Sequence, residues 1–369
     1  MYCAQDETFM QRALVLAARG LYSTTPNPRV GCLLVKDQIV VGEGWHERAG
    51  LPHAEAIAIA QAGPHKAHGA TAYITLEPCS HHGRTPPCAD ALIAAGIKQV
   101  IVAMQDPNPL VAGAGLQKLR EAGIDVRCGL YTEEATDLNI GFVKRMTTGL
   151  PWVRVKSAAS IDGRTALPDG TSQWITAAAA RNDGHHWRAR ACAVLTGIGT
   201  LRKDNPRMTV RAVETSRQPL KILVDTRFEA DPHATLFADG NALVAVCVDL
   251  DQSPYQLKAQ DLRDRGVEVV RLPMEAGSNK VNLAALLQLL GQRGLNEIHV
   301  EAGAALSGAM MRLGLVDEWL IYFAPIFLGE GRPLAAGVGP WSSIDDAPRW
   351  RWKESLLVGD SLRVRLVKI

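Results

Sequence analysis

Pro52-His53-Ala54-Glu55 and Pro78-Cys79-Ser80-His81-His82-Gly83-Arg84-Thr85-Pro86-Pro87-Cys88 are the two segments on which the reading of this chain turns. His53, Cys79 and Cys88 offer one imidazole and two thiols. That is three ligands for a tetrahedral zinc ion, with the fourth position left for water, the mark of a catalytic rather than a structural site. Glu55 follows two residues after His53, near enough to reach that water without competing for the metal. Zinc lowers the pKa of its water to roughly 7, and an adjacent carboxylate can carry the protons.

Two other readings of these residues stand beside this one. Cys79 and Cys88 could be joined as a disulfide, but the chain has 7 cysteines, an odd count without framework spacing. That pattern favours reduced thiols. The site could also be a four-ligand structural zinc, with His81 or His82 as the fourth ligand; such a site has no use for Glu55.

Working outward, 369 residues suggest about two domains, and 47% hydrophobic with 21% charged residues is ordinary for a soluble globular enzyme. A formal net charge of +2 provides no basic field for nucleic acid, and 5% aromatics leaves few platforms for stacking bases. The apolar run Ala13 to Ala18 is too short for a signal segment and follows acidic Asp6 and Glu7. No run approaches the ~18 residues of a membrane span. A cytoplasmic location is expected, with neither membrane nor nucleic acid as partner.

Asp6 to Arg19 has the apolar stripe of an amphipathic helix, and Val30 to Lys36 with Ile39 to Gly44 reads as a hairpin. Helices are predicted over Ala54 to Ala62, Ala89 to Ala95, Gly115 to Ala122 and Glu133 to Met146. Strands are predicted over Ala70 to Leu76, Gln99 to Ala103 and Ile124 to Cys128. His53 and Cys88 therefore fall near helix N-termini, where free N–H groups and the dipole favour a thiolate. The alternation implies an α/β sheet covered on both faces. Thr147 to Pro151 is the expected boundary, giving domains over 1–146 and 151–369.

In the second half, strands are predicted at Trp152 to Ala159, Ala193 to Thr196, Leu220 to Asp225, Ala242 to Val248, Val267 to Arg271 and Glu297 to Glu301. Trp319 to Phe323 and Ser361 to Leu366 read as antiparallel edge strands. Helices are predicted before Arg190, over Val281 to Gln292 and up to Arg312. Asp204 to Arg211 reads as a loop entering a short strand. Gly197-Ile198-Gly199-Thr200 lacks the third glycine of a dinucleotide fingerprint, since Arg202 stands there. Ala302-Gly303-Ala304-Ala305-Leu306 opens a helix and makes either a phosphate cradle or a close strand–helix packing site. Residues Ser253 to Asp261 and Trp341 to Arg351 carry no readable motif.

The His-x-Glu … Pro-Cys … Cys pattern resembles the zinc nucleobase deaminases, although eight residues rather than two separate the cysteines. Thr25-Pro26-Asn27-Pro28 with Val30-Gly31, Gly44-Trp45-His46, the His53 triplet and His82 to Cys88 resemble, more closely, the deaminase half of the bifunctional riboflavin-biosynthesis deaminase–reductases. The long cysteine spacing matches that family. Its reductase half is matched by the Lys156 strand, Ser160 to Thr165, Ser172-Gln173-Trp174, Gly197 to Thr200, Asp204 to Pro206 and Glu301 to Gly303, with Ala302 where many relatives have glycine.

The resemblance implies a cytidine-deaminase-like three-layer α/β/α domain followed by a dihydrofolate-reductase-like α/β domain. It implies zinc on His53, Cys79 and Cys88, with Glu55 as proton carrier. Water would replace the 2-amino group of a diaminopyrimidinone carrying a phosphoribosylamino group. NADPH would then deliver hydride to the ribose C1′. Asn27, His46 and Arg84 become candidate substrate contacts, Arg84 either holding phosphate or lying on the surface. Ala158, Trp174, Thr200, Asp204 and Gly303 would border NADPH. Ser172, Arg188, Met208, Arg211 and Glu301 would border the reductase substrate, the two arginines forking onto one phosphate. Lys156 would orient or protonate the sugar oxygen, or else lie on a solvated edge strand. A homo-oligomer, a dimer, is expected. The rival readings are a nucleic-acid-editing zinc deaminase with an accessory α/β domain and a non-catalytic zinc-stabilised binding module.

Overall fold

The computed structural model describes residues 2–80, 87–109 and 111–369. It divides between Gly149 and Leu150 into two compact units.

The first unit runs α1 (Ala4–Ala18), β1 (Gly31–Lys36), β2 (Ile39–Trp45), α2 (Ala54–Ala67), β3 (Thr71–Ile74), α3 (Cys88–Ala94), β4 (Gln99–Val102), α4 (Ala114–Glu121), β5 (Asp125–Cys128), α5 (Thr132–Leu138) and α6 (Ile140–Thr148). Its sheet has the order β2-β1-β3-β4-β5. β1 is antiparallel to both neighbours, and β3, β4 and β5 run parallel. Side chains alternate across a strand, and β1 shows it. Cys32 and Leu34 join Ala54, Ala58 and Leu92 in one core. Leu33 and Val35 join Met10, Ala13 and Leu16 in the other. The sheet is thus covered on both faces.

Two glycines set how closely α2 lies on β2. A Cβ at Gly44 would come within 2.3 Å of the Ala54 carbonyl oxygen, and one at Gly42 within 2.2 Å of that of Ala58. Only glycine permits this approach, and it seats the first turn of α2 on the sheet. Gly63, at φ 69°, breaks α2 where the sequence predicts, and one further turn follows. The single helix expected over Glu133 to Met146 is two helices. Asn139, buried at the join, accepts from the Arg29 N–H at 2.8 Å and donates to the Arg29 carbonyl at 2.9 Å. That pairing draws it out of helical geometry.

The second unit runs β6 (Trp152–Ser160), β7 (Arg164–Ala166), α7 (Ala178–Arg190), β8 (Ala193–Gly197), α8 (Ile198–Asp204), β9 (Leu220–Val224), β10 (Ala242–Val246), α9 (Tyr255–Asp264), β11 (Glu268–Arg271), α10 (Leu283–Gln292), β12 (Glu297–Val300), α11 (Ala304–Arg312), β13 (Glu318–Ala324), β14 (Arg332–Pro333), β15 (Trp350–Val358) and β16 (Ser361–Lys368). The main sheet has nine strands in the order β11-β10-β9-β8-β12-β6-β13-β16-β15. Strands β11 to β13 in that order are parallel, and β16 and β15 return antiparallel.

Three expectations change here. Neither β13 nor β16 is an edge strand: β13 lies between β6 and β16, and β16 between β13 and β15. The edge beyond β16 is β15, to which the sequence reading assigned no element, and α9 covers most of the motif-free stretch from Ser253 to Asp261. The residues after Asp204 form no strand, because side chains replace the ladder. The Val210 N–H goes to Gln218 Oε1 at 2.8 Å and its carbonyl receives Gln218 Nε2 at 3.1 Å.

One face of the large sheet is apolar, with Val153, Val155, Ile298 and Val300 packed on Leu286, Leu287 and Leu290 of α10. The opposite face carries a buried ionic layer beneath α7. Arg154 lies 3.1 Å from Glu297 and 2.8 Å from Glu318, and all three side chains are fully buried. Arg190 meets Glu297 at 2.8 Å and Arg365 meets Glu318 at 2.7 Å. The Trp187 ring lies against this layer, 4.6 Å from the Arg154 guanidinium and 5.2 Å from that of Arg365. Charges this deep persist only when mutually compensated.

Candidate functional sites

His53 is the N-cap of α2, which places Glu55 in the helix's first turn. Cys79 follows β3 through a short buried segment, and Cys88 is the first residue of α3. The His53 Nδ1 faces both sulfurs, 3.3 Å from Cys88 Sγ and 3.7 Å from Cys79 Sγ. All three donor atoms lie within 4.8 Å of one another. Zinc–ligand bonds of about 2.1 and 2.3 Å in a tetrahedron separate nitrogen from sulfur by about 3.6 Å. The cup therefore fits zinc, and the cysteines are free thiols rather than a disulfide.

The electrostatics agree. The Cys88 thiol donates towards Cys79, burial opposes, and the His53 ring and the Cys88 N–H at 3.3 Å assist; the Cys79 thiol comes down to about 4. Cys88 itself is pushed up. Glu55 is 3% exposed, and burial raises its carboxyl above the ordinary range. Beside the cup, the His46 ring stands edge-on to His53 at 5.2 Å between centroids. Its Nδ1 lies 3.1 Å from the Pro52 carbonyl and its Nε2 3.0 Å from Asn27 Nδ2. The carbonyl needs a donor and the amide an acceptor, so the proton sits on Nδ1.

A second site forms in the other unit, at the carboxyl edge of the sheet. β8 and β12 are parallel neighbours. A glycine caps the helix that follows each: Gly197, the last residue of β8, caps α8, and Gly303, three residues past the end of β12, caps α11. Open helix N-termini at the ends of adjacent strands make a crevice suited to a dinucleotide's phosphates. A Cβ on Gly303 would meet nothing within 4 Å, so the approach is open. Thr200 and Asp204 lie along α8.

Next to the crevice is a charged cluster. Arg188 of α7 pairs with Glu301, which follows β12, and donates Nη1 to the Thr209 carbonyl at 3.1 Å. Arg211 Nη1 reaches the same carbonyl at 3.3 Å and Thr209 Oγ1 at 3.0 Å. Lys156 lies on β6, an interior strand, 5.7 Å over the Tyr322 ring. Burial lowers its ammonium pKa; Glu301 opposes the shift and Arg188 adds to it. Ala158 is two residues further along the same strand face.

Known proteins match this chain over nearly its whole length. Residues 3–104 match the family described as the cytidine and deoxycytidylate deaminase zinc-binding region, and residues 151–364 match the RibD C-terminal domain. The riboflavin biosynthesis protein RibD of Escherichia coli K12 is 45% identical over 98% of this chain and 99% of its own length. Two solved structures agree. Acinetobacter baumannii RibD has 42% identity, TM-score 0.88 and 99% coverage of both chains. A deaminase/reductase from Thermotoga maritima has 32% identity, TM-score 0.86 and the same coverage. The chain belongs to the RibD family. It is a bifunctional deaminase and reductase of riboflavin biosynthesis.

Within that family frame, His53, Glu55, Cys79 and Cys88 come together, with Asn27 and His46 beside them. Arg84, His81 and His82 lie outside the described residues. Lys156, Arg188, Arg211 and Glu301 form one charged cluster. Met208, with φ 54°, leads the chain into Thr209. Ser172 and Trp174 lie on a loop. Trp174 is 70% exposed, and its ring is covered by the Arg181 guanidinium at 4.4 Å. The solvated edge-strand reading of Lys156 is overturned by the sheet order. Glu301 takes the Nε and Nη2 edge of the Arg188 guanidinium, which leaves its outer N–H groups to face a phosphate.

Three features went unread in the sequence. They are the Glu77 carboxylate behind the zinc cup, the Thr209 carbonyl that gathers two guanidiniums, and His185 beside them. The first had a signal, an acid set in the apolar run before Cys79. The other two depend on loop geometry.

Proposed function

We propose that the first unit hydrolytically deaminates 2,5-diamino-6-(5-phosphoribosylamino)pyrimidin-4-one at a zinc site of His53, Cys79 and Cys88. The second unit then reduces the ribose of 5-amino-6-(5-phosphoribosylamino)uracil with NADPH. The observation that carries this is the His53 nitrogen set against two cysteine sulfurs, with buried Glu55 on the same helical turn. The Thermotoga maritima relative is described as a diaminohydroxyphosphoribosylaminopyrimidine deaminase and 5-amino-6-(5-phosphoribosylamino)uracil reductase.

Zinc, when held by His53, Cys79 and Cys88, would supply Lewis-acid activation of a water. Glu55 takes that water's proton and passes it to the departing amine, which leaves as ammonia. A carboxyl raised by burial is suited to both halves of that transfer. Pro52, held through its carbonyl by His46, fixes the entry to His53. Asn27 and His46 border the pyrimidine.

In the second unit NADPH, when bound, supplies a hydride. Gly303 and the first turn of α11, with Ala158, Trp174, Thr200 and Asp204, border the cofactor. Arg188 and Arg211 hold the substrate phosphate, with Ser172, Glu301 and the Met208 backbone around it. Lys156, an ammonium with a lowered pKa, protonates the ring oxygen as C1′ accepts hydride and the sugar opens.

The discriminating experiment offers the purified protein the diaminopyrimidine nucleotide and, separately, deoxycytidine oligonucleotides. Ammonia release from the nucleotide alone, followed by NADPH oxidation, is the expected result. Release from the oligonucleotides would favour an editing deaminase, which the RibD-type second unit already argues against.

A further inference from the structure

The stretch from Pro206 to Arg211 has no ladder partner, so each of its N–H groups needs another acceptor. Val210 finds Gln218. Arg211 finds an imidazole: its main-chain N–H points at His185 Nδ1, 3.2 Å away. His185 and Arg188 are three residues apart on α7 and therefore share a helix face.

A ring that accepts at Nδ1 is neutral and carries its proton on Nε2. The surroundings keep it so. Burial lowers the His185 pKa first, then Arg188 of its own helix and Arg211 of the loop, while Glu301 opposes and His186 adds slightly; the result is about 4. The acceptor is therefore present throughout the neutral range. The consequence is geometric. With its main chain held at His185, Arg211 can place Nη1 on the Thr209 carbonyl that also receives Arg188. Two cations that would otherwise repel are held side by side.

We propose that His185 is a positioning residue for the substrate phosphate: by holding the Arg211 main chain, it fixes the Arg211 guanidinium beside Arg188. This rests on the reading of these arginines as the phosphate site.

Asparagine can put its Oδ1 where His Nδ1 stands, whereas glutamine reaches the Nε2 position instead. Both variants, with His185→Ala and Arg211→Ala, would be titrated with the phosphoribosylaminouracil substrate and with NADPH. Hydrogen exchange would follow the Arg211 amide. His185→Ala is expected to weaken substrate binding about tenfold. The loss should appear in KM with kcat and NADPH affinity retained, and the Arg211 amide should exchange faster. His185→Asn should restore substrate binding and amide protection. Rescue by glutamine and not by asparagine would overturn the proposal in favour of direct contact through Nε2. A loss in Arg211→Ala without one in His185→Ala overturns this proposal alone. Unchanged affinity in Arg211→Ala overturns the phosphate reading, and this proposal with it.

Discussion

Arg188 and Glu301 meet side-on, Nε facing one carboxylate oxygen and Nη2 lying 2.8 Å from the other. Both side chains are only 16% exposed. Burial alone would raise the Glu301 carboxyl, but Arg188 holds it well below its ordinary range. The pair is close to neutral, so Arg188 meets a phosphate with only its outer N–H groups, and Arg211 is the freer cation. Arg211→Ala should therefore cost about 1.5–3 kcal/mol of substrate binding, roughly 10- to 150-fold, at unchanged melting temperature. Arg188→Ala strands a buried carboxylate and should also cost about 3 kcal/mol of stability. Calorimetric titration and thermal melts of the two variants separate these effects. Equal melting temperatures for both would contradict the pairing argument.

The zinc prediction follows from the cup. Wild type should carry one zinc per chain, and Cys88→Ala should lose it, since two remaining ligands cannot hold the metal. Metal analysis after dialysis decides it; full occupancy in Cys88→Ala would remove Cys88 from the ligand set.

Glu55→Gln keeps the shape of the site but cannot carry a proton. Ammonia release should fall by about 10²- to 10⁴-fold. NADPH oxidation on already deaminated substrate should be retained, because Glu55 belongs to the first unit. If both activities disappear while zinc and fold are kept, the separation of the two chemistries is wrong.

The sequence showed the zinc cup because ligand chemistry is local: His53, Cys79 and Cys88 declare themselves by type, and helix starts placed two of them. The strand order was not legible. β13 reads as an edge from its own composition, and only pairing with β6 and β16 shows otherwise. The break at Asn139 was hidden for a related reason, since the group that competes for it is Arg29, distant in sequence. The ionic layer was hidden too: Arg154 and Glu297 stand in predicted strands and Glu318 just before one. A single charge in a strand reads as solvent-facing until its partners are known.

Behind the cup, Glu77 accepts four main-chain N–H groups, from Asp106 at 3.0 Å, Gly113 at 2.9 Å, Gly115 at 2.8 Å and Leu116 at 3.4 Å. It binds the start of α4 to the segment that carries Cys79. A Cβ at Gly115 would lie 2.0 Å from the Pro78 carbonyl oxygen, so this contact tolerates only glycine. Glu77→Gln turns one acceptor into a donor that faces N–H groups, and should cost about 1–3 kcal/mol. Gly115→Ala should displace Pro78 and Cys79. Both should weaken zinc binding in a chelator competition. A lower melting temperature with zinc affinity intact would limit the clamp to stability.

Glu318 predicts how the second unit responds to acid. Burial pushes its carboxyl up, but Arg154 and Arg365 outweigh that and bring it from 4.5 down to about 2. A depressed carboxyl contributes stability above its unfolded pKa and loses it as pH falls towards the folded value. The loss should therefore run from about pH 4.5 to about pH 2 and be on the order of 3 kcal/mol. Seven of the eight tryptophans follow Leu150, so tryptophan emission in urea reports this unit. Glu318→Gln should be less stable at pH 7, because Arg154 and Arg365 lose a buried counter-charge. It should also lose less stability on acidification, since the group that titrates is gone. Parallel stability curves for wild type and variant between pH 6 and pH 2.5 would show that the acid response arises elsewhere.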